Sequence, residues 1–377
     1  MPRTRDLAVA AGFAFVVIFG AVFVAEIRAA IAAAFPGHVR TIIGGSVVAM
    51  IGGAVAIAVS RIREHRAVRY VALVAALTAG AVFARGMSTG NADTDVVESF
   101  HFVEYGVLTM LFYRAWRPLG DLSVLILPVL AGVLVGTLDE WLQWFVPARV
   151  GELHDVVLDA GASACGLLFS IALSPPARFA PALGPRSAMR VGSAAAVVTV
   201  AAALFFHTVH LGYDVREPGI GVFRSRYSRG QLESAAKERT ARWRGQPPPA
   251  AGRLSREDQY VSEALWHVRH RNEAMARGDV LTAWRENRIL ETFYAPVLET
   301  GTGDSPAGFS WPAEQRVEVA RAAGGDGRPY VSEAAPMPIY DWSKATFWLM
   351  IALAASVMLA AGASAGRRER PGPSTHS

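Results

Sequence analysis

Cysteine is nearly missing from this chain: Cys165 is the only one in 377 residues. An intramolecular disulfide framework and a multi-cysteine metal site are therefore excluded. Lysine is almost as scarce. Lys237 and Lys344 are the only two, so nearly all positive charge is arginine. Charged residues make up 18% of the chain, where a soluble domain carries roughly a quarter. The sequence also lacks a P-loop, a GxGxxG turn before a helix and a GxSxG elbow. Their absence argues against nucleotide chemistry and serine-based acyl transfer.

Long apolar runs fill the space that charge leaves. Hydrophobic residues account for 52% of the chain. The runs are long enough to cross a hydrocarbon layer of about 30 Å as helices, and they lack the alternation of barrel strands. Spans are expected at Leu7–Arg28, Thr41–Ser60, Val68–Phe83, Ser99–Trp116, Leu122–Val146, His154–Leu173, Val191–Leu211 and Ala345–Ser364. The first follows Arg3 and Arg5 but exceeds a signal-peptide core in length, and is expected to stay uncleaved. The fold class expected is all-α, a polytopic transmembrane bundle of about eight helices.

Arginine also orients the spans, because short cytoplasmic loops collect positive charge. With the N-terminus inside, cytoplasmic segments hold Arg3 and Arg5, the run Arg61 to Arg69, Arg114 and Arg117, Arg178 to Arg190, and Arg367 to Arg370. The opposite loops hold only Arg28, Arg40, Arg85 and Arg149. Both termini are thus expected in the cytoplasm. A net charge of +5 is compatible with nucleic-acid binding. Here the arginines flank apolar runs, which leaves nucleic acid out of the expected partners and membrane lipid in.

Residues 213–343 differ. Acidic and basic residues are balanced there and prolines cluster at Pro247–Pro249. Such a segment belongs in water, and on this topology it is extracytoplasmic. Within it, Arg256–Arg277 and Asp279–Glu299 carry apolar stripes at helical spacing, with Gly278 between them, which predicts a helical hairpin. Gly301–Gly327 is glycine-rich and expected as loop. Glu263, His267 and His270 have a spacing that can hold a metal, but a solvated helix face is the expectation. Arg224, Arg226 and Arg229 with Tyr227 form a basic run, also expected as solvated charge. The resulting division is residues 1–67, N-terminal spans; 68–174, a polar-marked core; 175–212, a seventh span; 213–343, the insert; and 344–377, the last span with a basic tail.

Ionisable residues inside three consecutive spans are the informative feature. A charged side chain in lipid costs at least about 2.5–3.5 kcal/mol, so such residues face the bundle interior and mark function. His101, Glu104 and Tyr105 follow Glu98 along one helix face. Asp139, Glu140 and Gln143 follow in the next span, with Arg149 just beyond it. Glu140 and Gln143 share a face, while Asp139 and Glu140 point about 100° apart on a helix. Trp141 and Trp144 suit an interfacial aromatic belt. Asp155 and Asp159, four apart, share a face of the third span, beside Gly161, Ala162, Ala164 and Gly166, which permit close packing. All three groups fall at the same, extracytoplasmic end, and one shared polar pocket is expected there.

The run from His101 to Tyr105, then Asp139 to Gln143 with Pro147 and Arg149, then Asp155 and the glycines after it, resembles the VanZ-like family over about residues 98–174. Asp159 stands where the family often has Asn. Val97 and Glu98 stand where it often has an Asp-Lys pair. The resemblance implies a polytopic membrane protein, in a family whose founding member is associated with resistance to teicoplanin. It supplies no catalytic mechanism.

Three functions fit these residues. The first is a non-enzymatic cell-envelope protein binding an amphipathic ligand, a lipid-linked wall precursor or a lipoglycopeptide, with Glu140, Arg149 and Asp155 on its polar part. The second is an intramembrane enzyme on lipid or wall intermediates, with His101 as general acid or base and Glu104 or Asp139 as its partner. The third is a proton-coupled transporter with the same acids as relays. No cofactor and no metal are expected.

Overall fold

The structure is a computed structural model describing residues 2–88, 90–146, 149–244, 255–300, 308–324, 329–335 and 337–367. Helices dominate. In chain order they are α1 (Thr4–Gly20), α2 (Val24–Ala34), α3 (Val39–Arg61), α4 (Arg66–Gly86), α5 (Ala92–Trp116), α6 (Ser123–Phe145), α7 (Leu153–Leu173) and α8 (Pro185–Val209). After α8 come two strands, β1 (Tyr213–Glu217) and β2 (Gly221–Ser225). The rest is α9 (Arg229–Arg242), α10 (Arg256–Ala276), α11 (Val280–Phe293), α12 (Ala295–Thr300), α13 (Ala313–Ala323) and α14 (Lys344–Arg367).

Seven helical stretches among the described residues are long and apolar enough to cross a membrane: Thr4–Ala34, which joins α1 and α2, then α3, α4, α6, α7, α8 and Lys344–Ala365 of α14. The chain is a multi-pass membrane protein. The eighth expected span lies in α5, which is outside the seven because its ionisable side chains dilute the apolar run; its 25 residues pack on α7, α1 and α3. The span expected at Val68–Phe83 is longer than its apolar core suggests, since α4 covers 21 residues.

Contacts divide the chain into two units. One is the membrane unit, Met1–Gln143, Gly151–Phe205 and Trp348–Ser377; the other is Trp144–Val150 with Phe206–Phe347.

In the membrane unit, α5 is central. Tyr105, Leu108 and Phe112 of α5 pack with Ala10, Ala14 and Val17 of α1, Val135 of α6 and Ala162 of α7. Small residues set the helix spacing. A Cβ on Gly166 of α7 would lie 2.6 Å from the Cα of Gly106 on α5, so only glycine at 166 allows that crossing. One end of these helices is basic and pinned. Arg114 and Arg3 reach Asp6 at 3.1 and 3.6 Å. The Arg69 guanidinium donates to the carbonyls of Ala172 and Leu173 at the end of α7, where orphan carbonyls and the helix dipole favour a cation.

In the second unit, β1 and β2 form an antiparallel hairpin with Val215 opposite Phe223. Both side chains enter a core shared with Leu232, Trp243, Tyr260, Val261, Ile289, Leu290 and Phe293. Helices α10 and α11 pack as a hairpin, turning at Gly278 with φ +77°. Helix starts are capped by side chains: Ser228 forms a capping box with Gln231, and Ser255 and Asp279 accept from Asp258 and Thr282.

Four sequence expectations are corrected in this unit. Arg226, expected as solvated charge, is 9% exposed and pairs with Glu263 at 3.0 Å. Gly301–Gly327 is not all loop, because α13 forms within it; residues 301–307 and 325–327 lie outside the described set. Glu263 and His267 do not lie on a solvated face but are 1% and 2% exposed. Trp144 is not an interfacial side chain. It is fully buried, with the Arg226 guanidinium 4.2 Å above its ring.

Candidate functional site

Helices α5, α6 and α7 run alternately up and down, so the start of α5, the end of α6 and the start of α7 meet at the end opposite Arg3 and Arg69. The acids expected at a common site gather there. His101 Nδ1 lies 3.1 Å from Asp159 Oδ1, with Asp159 completely buried. Four residues on, Tyr105 stacks on His101 with ring centroids 6.0 Å apart. Its hydroxyl donates to Asp139 Oδ2 at 3.4 Å, a long bond. Asp139 is 2% exposed. Glu104, half-buried one residue before Tyr105, lies within electrostatic range of His101, Asp159 and Asp139.

Glu140 occupies the other face of α6. Its Oε1 accepts from Gln143 Nε2 at 2.7 Å, and its Oε2 from the backbone N–H of Glu152 at 3.1 Å. Glu140 therefore ties the end of α6 to the residue that opens α7. It also sits in the field of Asp139, Asp155 and Asp159.

Glycines let α7 come this close to α6. A Cβ on Gly136 would stand 2.6 Å from Asp159 Oδ2, and one on Gly132 would collide with Ser163. The two glycines, one helical turn apart, make a groove into which Asp159 and Ser163 fit.

The charge balance is lopsided. Asp139, Glu140 and Asp159 are buried, and Glu104 and Asp155 are half-buried. His101 can offset one of them when protonated. Asp139 Oδ1 and Asp159 Oδ2 are enclosed and meet no donor in hydrogen-bonding geometry among the described residues. Buried polar atoms are normally paired, and unpaired ones inside a membrane helix bundle point to function.

The structure thus brings together His101, Glu104, Tyr105, Asp139 and Asp159, with Glu140 and Gln143 alongside. Asp155 lies in the first turn of α7, one turn before Asp159. Arg149 falls in the second unit, half-buried in the loop between α6 and α7, its backbone N–H donating to Val146 at 3.1 Å. The other sequence candidates resolve differently. Glu263 pairs with Arg226 and His267 with Glu286, so the spacing of Glu263, His267 and His270 makes no metal centre. The basic run disperses in the same way, with Arg224 on Asp214 and Arg229 on Glu217 and Glu233. Glu152 and His154 are missing from the sequence candidates; their signal is the string Gly-Glu-Leu-His-Asp opening α7.

Residues 47–174 match the VanZ/LLP1 family model. This segment is a VanZ-like domain. It begins inside α3 and ends just past α7, so it extends the resemblance read from the polar motifs toward the N-terminus by all of α4 and part of α3. The whole acidic cluster lies within it. Neither the curated proteins nor the solved structures offer a match to the chain.

Proposed function

We propose that the VanZ-like domain binds the polar head of an amphipathic cell-envelope molecule in its acidic cluster, on the extracytoplasmic side of the membrane. The observation that carries this reading is the convergence of His101, Tyr105, Asp139, Glu140 and Asp159 from three helices, with two enclosed carboxylate oxygens that meet no donor in hydrogen-bonding geometry among the described residues. The arginine distribution supports the placement: the basic end of α5 and α7 faces the cytoplasm, the acidic end faces outward, and the termini are inside. The charge excess narrows the ligand class. A head bearing an ammonium group or hydroxyl donors complements the acids, whereas a bare phosphate is repelled. A lipoglycopeptide such as teicoplanin therefore fits better than a lipid-linked wall precursor, and a contribution to antibiotic resistance follows.

A second reading has its own support. His101 within hydrogen-bonding distance of Asp159 is the geometry of an oriented acid or base, as an intramembrane enzyme on lipid or wall intermediates requires. One experiment separates the two. Cells carrying wild type, His101→Ala or Glu140→Gln are compared for teicoplanin susceptibility and membrane-lipid composition. Binding predicts that wild type lowers susceptibility, that both variants abolish the effect and that lipid composition stays the same. Catalysis predicts an altered lipid or precursor pool that reverts in His101→Ala. Equal behaviour of all three at equal expression removes the cluster from the function.

A further inference from the structure

Beside the acidic cluster, Glu98 of α5 and His154 and Asp155 of α7 each present one potential ligand atom, and these atoms all lie within 4.8 Å of one another. The set joins two helices, with Glu98 56 and 57 residues before His154 and Asp155 in the chain. Its chemistry is mixed: one imidazole nitrogen and two carboxylate oxygens. Calcium and magnesium favour all-oxygen shells, whereas a nitrogen with carboxylates suits zinc or manganese.

A second observation is independent of that grouping. His154 Nε2 is enclosed and has no hydrogen-bond partner among the described residues. An enclosed imidazole nitrogen left unmatched costs free energy, and coordination through Nε2 would remove that cost. The surroundings favour a cation as well. Glu152, directly before α7, lies within electrostatic range of Asp155, His154 and Glu98, and Glu140 within that of Asp155.

We propose that Glu98, His154 and Asp155 hold a divalent transition-metal cation of the zinc or manganese class. Three protein ligands leave at least one coordination position for water or a donor atom of a bound molecule. The assignment concerns a cation and holds whichever head group the neighbouring cluster accepts.

The test uses the detergent-solubilised full chain, stripped with a chelator and titrated separately with zinc, manganese, cobalt, calcium and magnesium. Metal content after desalting and the shift of the thermal midpoint are read for each. About one equivalent bound and a raised midpoint are expected for zinc or manganese, with visible absorption from bound cobalt. Glu98→Gln, close in size to the native residue, and His154→Ala should each weaken binding tenfold or more. His270→Ala, in the second unit, should leave binding unchanged. Unfolding of the metal-free variants near the wild-type midpoint shows that they are folded; if His154→Ala fails this control, Glu98→Gln decides. Absence of a bound equivalent in the wild type overturns the site, as does equal affinity in folded Glu98→Gln. A response to calcium or magnesium alone overturns the role of His154.

Discussion

Buried acids occur in both units, and the two units treat them in opposite ways. In the second unit, Glu263 accepts from Ser225 Oγ at 2.5 Å, from the backbone N–H and Nη1 of Arg226 at 3.0 Å each, and from Tyr294 Oη at 3.0 Å. Glu286 accepts from His267 Nδ1 at 2.6 Å, from Ser332 Oγ at 2.5 Å and from Tyr330. Burial would raise the Glu286 carboxyl, but the charge of His267 and these hydrogen bonds win and hold it below its ordinary value. In the VanZ-like domain, Asp159 has His101 on Oδ1 and Asp139 has a long bond from Tyr105 on Oδ2, while Asp159 Oδ2 and Asp139 Oδ1, with Tyr105 and Gln143 near them, meet no donor in hydrogen-bonding geometry among the described residues. A saturated buried charge holds a fold in register. An unsaturated one is a cost the fold carries, and such residues cluster where binding or chemistry happens.

The sharpest way to break this comparison is to remove a saturated acid. Glu263→Ala strands the Arg226 guanidinium, which is 7% exposed. Breaking a buried ion pair on one side costs about 3–5 kcal/mol, so thermal unfolding of the full chain should show a large loss and limited proteolysis should open residues 213–343. A near-neutral result would mean that the network is not structural.

Next in size is Gly136→Ala. The new methyl enters the space of Asp159 Oδ2, and overpacking of this kind costs about 1–3 kcal/mol. The thermal midpoint should fall and any His101-dependent phenotype should weaken with it. A wild-type midpoint would show that α6 and α7 are not held at that separation.

Glu286→Gln replaces three charge-assisted bonds with neutral ones, and about 1–2 kcal/mol is expected. The pH sign follows from its lowered folded value against an unfolded value near 4.5. The stabilisation is fully present above the unfolded value and is lost as pH falls through the folded one. Wild type should lose stability on acidification below about pH 4.5, and Glu286→Gln should flatten that part of the curve, as denaturation followed across pH would show.

The smallest effect on stability is expected where function is expected to suffer most. Asp139→Asn keeps the shape and removes an undersatisfied charge, so stability should change by less than about 1 kcal/mol, while any effect of the wild type on teicoplanin susceptibility should disappear. A loss as large as that of Glu263→Ala would erase the difference between the two regions.

Several features were readable in advance because they depend on local pattern. Runs of apolar residues mark seven of the spans plainly, and the i, i+4 placement of His101 and Tyr105 and of Asp155 and Asp159 follows from helix geometry alone. The turn at Gly278 is legible for the same reason. The β hairpin escaped notice although Pro218 and Gly219 between two short alternating segments are its signal. His154 and Glu152 escaped because nothing in their own helix distinguishes a ligand from an interfacial polar residue. Trp144 read as an interfacial tryptophan because sequence shows its span and not Arg226, which stacks on it from 82 positions away.

By itself, the sequence determined that this chain crosses the membrane many times, that its arginines gather at one end of the helices, and that acids sit inside three neighbouring spans. Those properties depend on residue type and on spacing within one helix. Tertiary structure alone decided that Asp159, 58 residues from His101, is its partner, that Glu140 bridges to the start of α7, and that Glu263 and Glu286 are saturated while Asp139 and Asp159 are not. Which charges meet depends on how closely two helices pack, and here glycines at 132, 136 and 166 set that distance.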